Sequence, residues 1–143
     1  MPQLAREGAP IAFPIRIRNP CGSGRSVEPA DEFPSFVFVG THLCHQSGAS
    51  RTEQAHLINS LFPAEYGSPI ILAGDLNAGP GGEPMQVLLE DRWHDAIAPK
   101  SRIDDVLYRQ SYPWQVAEVK VVDDRMASDH QPVLAVLART RAE

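Results

Sequence analysis

Cysteine is scarce: two residues, Cys21 and Cys44, stand in a chain of 143. Two thiols make no disulfide framework, so the expectation is a reduced, cytoplasmic protein held together by its core. Positive charge is also in deficit, with 13 basic against 18 acidic side chains and a formal net charge of −5. That balance excludes tight, purely electrostatic binding of nucleic acid, which needs many cationic contacts to phosphate. It does not exclude chemistry on phosphate esters, because clustered carboxylates can hold a divalent cation that supplies the missing charge. No apolar run approaches the ~20 residues of a bilayer-spanning helix, so no membrane is expected. Met1 to Pro10 includes Arg6 and Glu7 but no long apolar stretch, and does not read as a secretory signal. There is no internal repeat and no heptad pattern.

What remains is globular composition, 43% hydrophobic and 22% charged, in a length that suits one domain with its own core. Residues 1–35 differ from the rest. Six of the 13 prolines fall there, which argues against a long helix or central strand. Phe13 to Ile17 reads as a short edge strand, and Asn19 to Glu32 as a loop. The division expected is an N-terminal extension over 1–35 and a domain over 36–143.

From residue 36 the pattern tightens. Phe36 to Val39 and Ile70 to Ala73 are apolar runs of buried-strand type, each followed by glycine. Between them, Ser50 with Glu53 three residues on forms a capping-box pattern ahead of Leu57, Ile58, Leu61 and Phe62 at helical spacing. Glu83 to Glu90 reads as a second helix with Pro84 in its first turn. Arg102 to Tyr108, Trp114 to Val122 and Pro132 to Ala138 read as strands. The order β-α-β-α-β-β-β points to a mixed sheet with helices on one face.

The reactive residue types gather at strand ends, where a rigid scaffold positions loops. His42 follows the first strand. Asp75 and Asn77 follow the second in Gly74-Asp75-Leu76-Asn77, and are hard oxygen donors suited to Mg2+ or Mn2+. Asp104 and Asp105 open the third, and Ser128-Asp129-His130 precedes the last. Singly, each has an ordinary reading as a turn, a cap or an ion pair, Asp104 with Arg102 for example. Together, in this order and at strand ends, they read as one site. Trp93, Trp114, Phe36, Phe38 and Tyr108 read as packing residues.

The set Gly40-Thr41-His42-Leu43, Gly74-Asp75-Leu76-Asn77, Arg102-Ile103-Asp104-Asp105-Val106 and Ser128-Asp129-His130-Gln131-Pro132-Val133 resembles the C-terminal half of the endonuclease/exonuclease/phosphatase superfamily, the DNase I-like group. The resemblance covers about residues 36–138. It implies half of a four-layer α/β sandwich and Mg2+- or Mn2+-dependent hydrolysis of phosphodiesters by an activated water. It implies that His42 contacts the scissile phosphate and that Asp75 positions or deprotonates the water. Asn77 would bind phosphate or metal, and Asp104 would support. His130 would serve as acid/base or metal ligand, with Asp129 beside it as a further ligand. Substrates implied are phosphate esters, nucleic acid among them.

This sequence departs from the family pattern in several places. No Gln-Glu pair occurs to match the metal-binding glutamate of the family's N-terminal half. Gly40 stands for the usual asparagine before Thr-His, and Cys44 for a common aspartate, although His45 matches. Half a sandwich would expose the sheet face that normally packs on the other half, so a homodimer packed sheet on sheet is expected. Two alternatives stay open: a non-catalytic truncated relative acting as a dimeric scaffold or subunit, and a promiscuous ester hydrolase using the same Asp/His cluster.

Overall fold

A computed structural model describes residues 11–15, 36–98, 102–123, 126 and 128–139. In chain order the elements are β1 (Ile11–Ile15), β2 (Phe36–His42), α1 (Gly48–Leu61), β3 (Ile70–Asp75), α2 (Glu83–Glu90), β4 (Trp93–Asp95), β5 (Asp104–Arg109), β6 (Trp114–Val121) and β7 (Val133–Arg139). The loop expected over 19–32 and Cys21 lie outside the described residues.

Five strands form one sheet in the order β1-β2-β3-β5-β4, and β6 and β7 form a separate hairpin. β2 and β3 are parallel, joined through α1; β1, β5 and β4 run antiparallel to their neighbours. The mixed sheet expected from the sequence is therefore present. Alternation along each strand divides its side chains between two faces. Val39, Ile70, Leu72 and Leu107 are buried with Ala55, Ile58 and Phe62 of the α1 side and Met85 and Leu88 of α2. Trp93 completes this core, its indole N–H donating to Asn59 Oδ1 at 2.9 Å while Asn59 Nδ2 donates to the Val87 carbonyl. One asparagine thus ties α1, α2 and β4 together.

The other face is only partly covered. Phe36, Phe38, Ile71, Ala73 and Val106 of the sheet, with Trp114, Val133, Leu134, Ala135 and Leu137 of the hairpin, line an apolar cavity of about 350 Å3.

Three local expectations are corrected. α1 starts at Gly48, and its cap is Ser47, whose hydroxyl accepts from the Ser50 amide. The capping box assigned to Ser50 and Glu53 therefore sits one turn inside the helix. β2 does not stop at Gly40 but runs to His42. β4 was not legible as a strand: it is three residues long and begins with a buried tryptophan.

Candidate active site

Strand register brings the reactive residues together. His42 lies opposite Asp75 across the β2/β3 pair, and Asp75 lies opposite Asp104 across β3/β5. Three side chains from three adjacent strands thus emerge on one face at one edge. The fourth arrives from the segment before β7: His130 Nδ1 lies 2.7 Å from Asp104 Oδ2 and 3.9 Å from Asp75 Oδ2. His42 Nε2 lies 3.5 Å from the same Asp75 oxygen. Asp75 Oδ2 is therefore flanked by two imidazoles, while its Oδ1 accepts the Asn77 amide at 2.7 Å.

Gly74 makes this approach possible. Its φ is +149°, and a Cβ there would stand 1.8 Å from the Thr41 carbonyl oxygen. Only glycine lets β2 and β3 run this close immediately before Asp75. Leu76 N donates to the Ile103 carbonyl and Leu43 N to the Asp75 carbonyl, so backbone bonds continue past the strand ends.

The remaining site candidates occupy supporting places. Asn77 takes a left-handed φ of +48° and donates its side-chain amide to the Leu43 carbonyl at 2.9 Å. It latches the exit of β2 to the exit of β3. Asp129 is exposed, and its Oδ1 lies 3.5 Å from Ser128 Oγ. Ser128 Oγ in turn accepts the His130 amide. Asp104 pairs with His130, not with Arg102.

Gly74, Asp104, Ser128, His130, Gln131, Pro132 and Val133 line a cleft of about 300 Å3. Within it, the hydrogen bond that the His130 ring donates to Asp104 is the main reason the His130 pKa lies above its ordinary value, aided by the charges of Asp104, Asp75 and Asp129. Ligand atoms of Asp75, Asp104 and His130 lie within 4.8 Å of one another, the one such three-residue group among the described residues. Two carboxylates and one imidazole fit a hard cation that keeps several waters, as Mg2+ and Mn2+ do. Cys44 is not part of the group.

Sequence reasoning missed a second group directly behind Asp104. Alternation sends Asp105 to the helix-covered face, where it is 1% exposed. Burial and the neighbouring Asp95 carboxyl push its pKa up to about 7. Arg102 Nη2 stands 3.9 Å from Asp95 Oδ1, and both side chains are 9% exposed. The signal available in the sequence was the period of two: adjacent Asp104 and Asp105 in a strand cannot share a face.

Comparison with known proteins accords with this geometry. No curated protein matches the chain, but solved structures do. An endonuclease/exonuclease/phosphatase family protein from Bacteroides thetaiotaomicron is similar at 22% identity and a TM-score of 0.66, over 78% of this chain and 52% of that one. A mannosyl-6-phosphatase from the same species is similar at 24% identity and a TM-score of 0.62, over 76% and 53%. The human Nocturnin catalytic domain, solved with a bound sulfate anion, is similar at 15% identity and a TM-score of 0.68, over 94% and 54%. At these identities the likeness is one of fold. The chain spans about half the length of the solved structures it matches. The sequence profile of the Endonuclease/Exonuclease/phosphatase family matches residues 13–130, and the chain belongs to that family.

Proposed function

We propose that the chain is a metal-dependent phosphoesterase that hydrolyses phosphodiester bonds with an activated water. The observation that carries this reading is the convergence of Asp75, Asp104 and His130 from separate strand ends, within 4.8 Å, in a member of this family. The phosphatase among the structural neighbours and the sulfate bound by another accord with a phosphate-type substrate.

Asp75, Asp104 and His130 would hold Mg2+ or Mn2+, which when bound supplies a Lewis acid for the phosphoryl oxygens. Asp75 Oδ1 is spent on the Asn77 amide, which leaves Oδ2 to orient a water and accept its proton. His130 Nδ1 is engaged by Asp104, which leaves Nε2 as the nitrogen that faces substrate. Asp104 holds that ring in place and, where the ring does not ligate the ion, favours its protonated form, so His130 can instead donate to a phosphate or leaving-group oxygen; the two roles exclude each other on one ring. His42, 69% exposed at its side chain, is free to turn from Asp75 to the phosphate. Asp129, exposed beside His130, would contribute charge and a further oxygen ligand.

The proposal extends to the assembly and the compartment. The apolar cavity between sheet and hairpin is the face on which a second copy would pack, giving a homodimer. Scarce cysteine suits the cytoplasm. Among the described residues no helix is long and apolar enough to cross a membrane.

The test is hydrolysis of bis-p-nitrophenyl phosphate by the 143-residue chain with Mn2+ or Mg2+. EDTA and His130→Ala serve as controls. Metal-dependent turnover that His130→Ala lowers by about a hundredfold or more is expected, on the scale of losing a general acid/base. A folded protein with no turnover under any divalent metal would favour the scaffold reading.

A further inference from the structure

Arg102 is an expensive residue to bury. Its Nε, Nη1 and Nη2 are all shut off from solvent and have no hydrogen-bond partner among the described residues. The nearest carboxylate oxygen, Asp95 Oδ1, is 3.9 Å away and already accepts the amides of Ile97 at 2.6 Å and Ala98 at 2.8 Å. Asp105 Oδ1 accepts its own neighbour's amide, from Val106, and the Asp105 carboxyl is buried beside that of Asp95. A buried guanidinium with unsatisfied donors is poor design for stability, since apolar residues of similar volume commonly serve as well. Departures of this kind concentrate where geometry serves a site.

The location supplies the reason. Arg102 lies two residues before Asp104, in the segment that leads from β4 back into β5. Asp95 ends β4 and turns the chain through its two accepted amides. The Ala96 amide donates to the Val106 carbonyl, and the Ile103 carbonyl accepts from Leu76 at 2.8 Å, next to Asp75. The charge group therefore lies behind Ile103 and Asp104, while the backbone bond ties Ile103 to the site strand. Asp104 emerges from this segment to meet His130.

We propose that Arg102, seated against the buried carboxyls of Asp95 and Asp105, is a positioning residue that sets where Asp104 meets His130. It touches neither substrate nor metal. This role rests on the phosphoesterase reading only for its effect on turnover; its effect on the Asp104–His130 contact is independent of any activity.

The test uses Arg102→Met, which keeps the length of the side chain and removes its charge, with Arg102→Lys as the charge-retaining comparison. The direct readout is the imidazole nitrogen spectrum of His130 by NMR in the metal-free protein, which reports the Nδ1 hydrogen bond to Asp104. The expected result for Arg102→Met is a folded protein in which that signature is lost, and Arg102→Lys restores it in part. In Mn2+-dependent hydrolysis kcat falls about tenfold or more while KM holds, as expected for lost orientation of a catalytic group. If Arg102→Met fails to fold, Asp95→Asn carries the same test, because it removes the partner charge at nearly constant volume. A folded Met or Asn variant with an unchanged His130 signature would overturn the proposal, whatever its stability. Absence of turnover in the parent protein would overturn the phosphoesterase reading and leave the NMR result standing.

Discussion

Asp105 and His130 hold their protons for different reasons, and both bear on stability. Burial is the leading cause at Asp105, followed by the charge and hydrogen bond of Asp95; Arg102 and the Val106 amide oppose it. Its pKa rises from 3.8 to about 7 on folding, so across that window the folded chain binds a proton that the unfolded chain has released. Stability therefore falls as pH rises from the lower value to the upper, and levels off above it. His130 adds a contribution of the same sign at higher pH. Its raised pKa gives stability that is complete below 6.5 and lost as pH climbs through the folded value. We predict that Asp105→Asn removes the lower window. In urea melts of the metal-free protein at about pH 4.5 and about pH 7, wild type should lose roughly 1–3 kcal/mol more than the variant. Parallel pH profiles would contradict the assignment.

At the scale of elements, the site is made by where strands end. β2, β3 and β5 end or begin in register, and the left-handed Asn77 and extended-positive Gly74 shape the bend between. Gly74→Ala should drive a Cβ into the Thr41 carbonyl, and either part β2 from β3 or tilt Asp75 away from both histidines. A loss of about 2–4 kcal/mol in denaturant unfolding is expected, in the range of strain at a special backbone conformation; a change within about 0.5 kcal/mol would show the close approach to be unimportant.

The same elements show what was legible beforehand. Ile70 to Ala73 could be read as a buried strand from its apolar run, which put Asp75 at a strand end; that this end lies opposite His42 comes only from the register. The start of α1 was misplaced because two serines three apart both fit a cap, and only backbone geometry selects Ser47. β4 is too short to show a period, so Asp95 could not be placed next to Asp105. Pairing of Arg102 with Asp104 was the ordinary alternative for Asp104 taken singly, and nothing local reveals that Arg102 instead lies against Asp95.

For the molecule as a whole, the helix side of the sheet is filled and the site side is not. Arg109 illustrates the closed side: it is 1% exposed, stacks 4.2 Å above the Trp93 ring, and bonds Asp91 and the Phe62 carbonyl. On the open side the cavity of about 350 Å3 is lined almost wholly by aliphatic and aromatic residues, while Leu134 and Val136 of the hairpin are 46% and 40% exposed. The proposed second copy would cover this surface. Light scattering after size exclusion should give twice the 15.7 kDa chain mass, and Leu134→Glu should shift it to monomer. A compact monomer at micromolar concentration would contradict the dimer and leave the site untouched, since Asp75, Asp104 and His130 come from one chain.

The central claim is that these three residues form a divalent-cation site, and titration calorimetry with Mn2+ tests it most directly. The chain should bind one Mn2+ with micromolar affinity, and Asp104→Asn should weaken it at least tenfold while the protein stays folded. A folded parent with no heat of Mn2+ binding, or a variant that binds as tightly as the parent, would contradict the account.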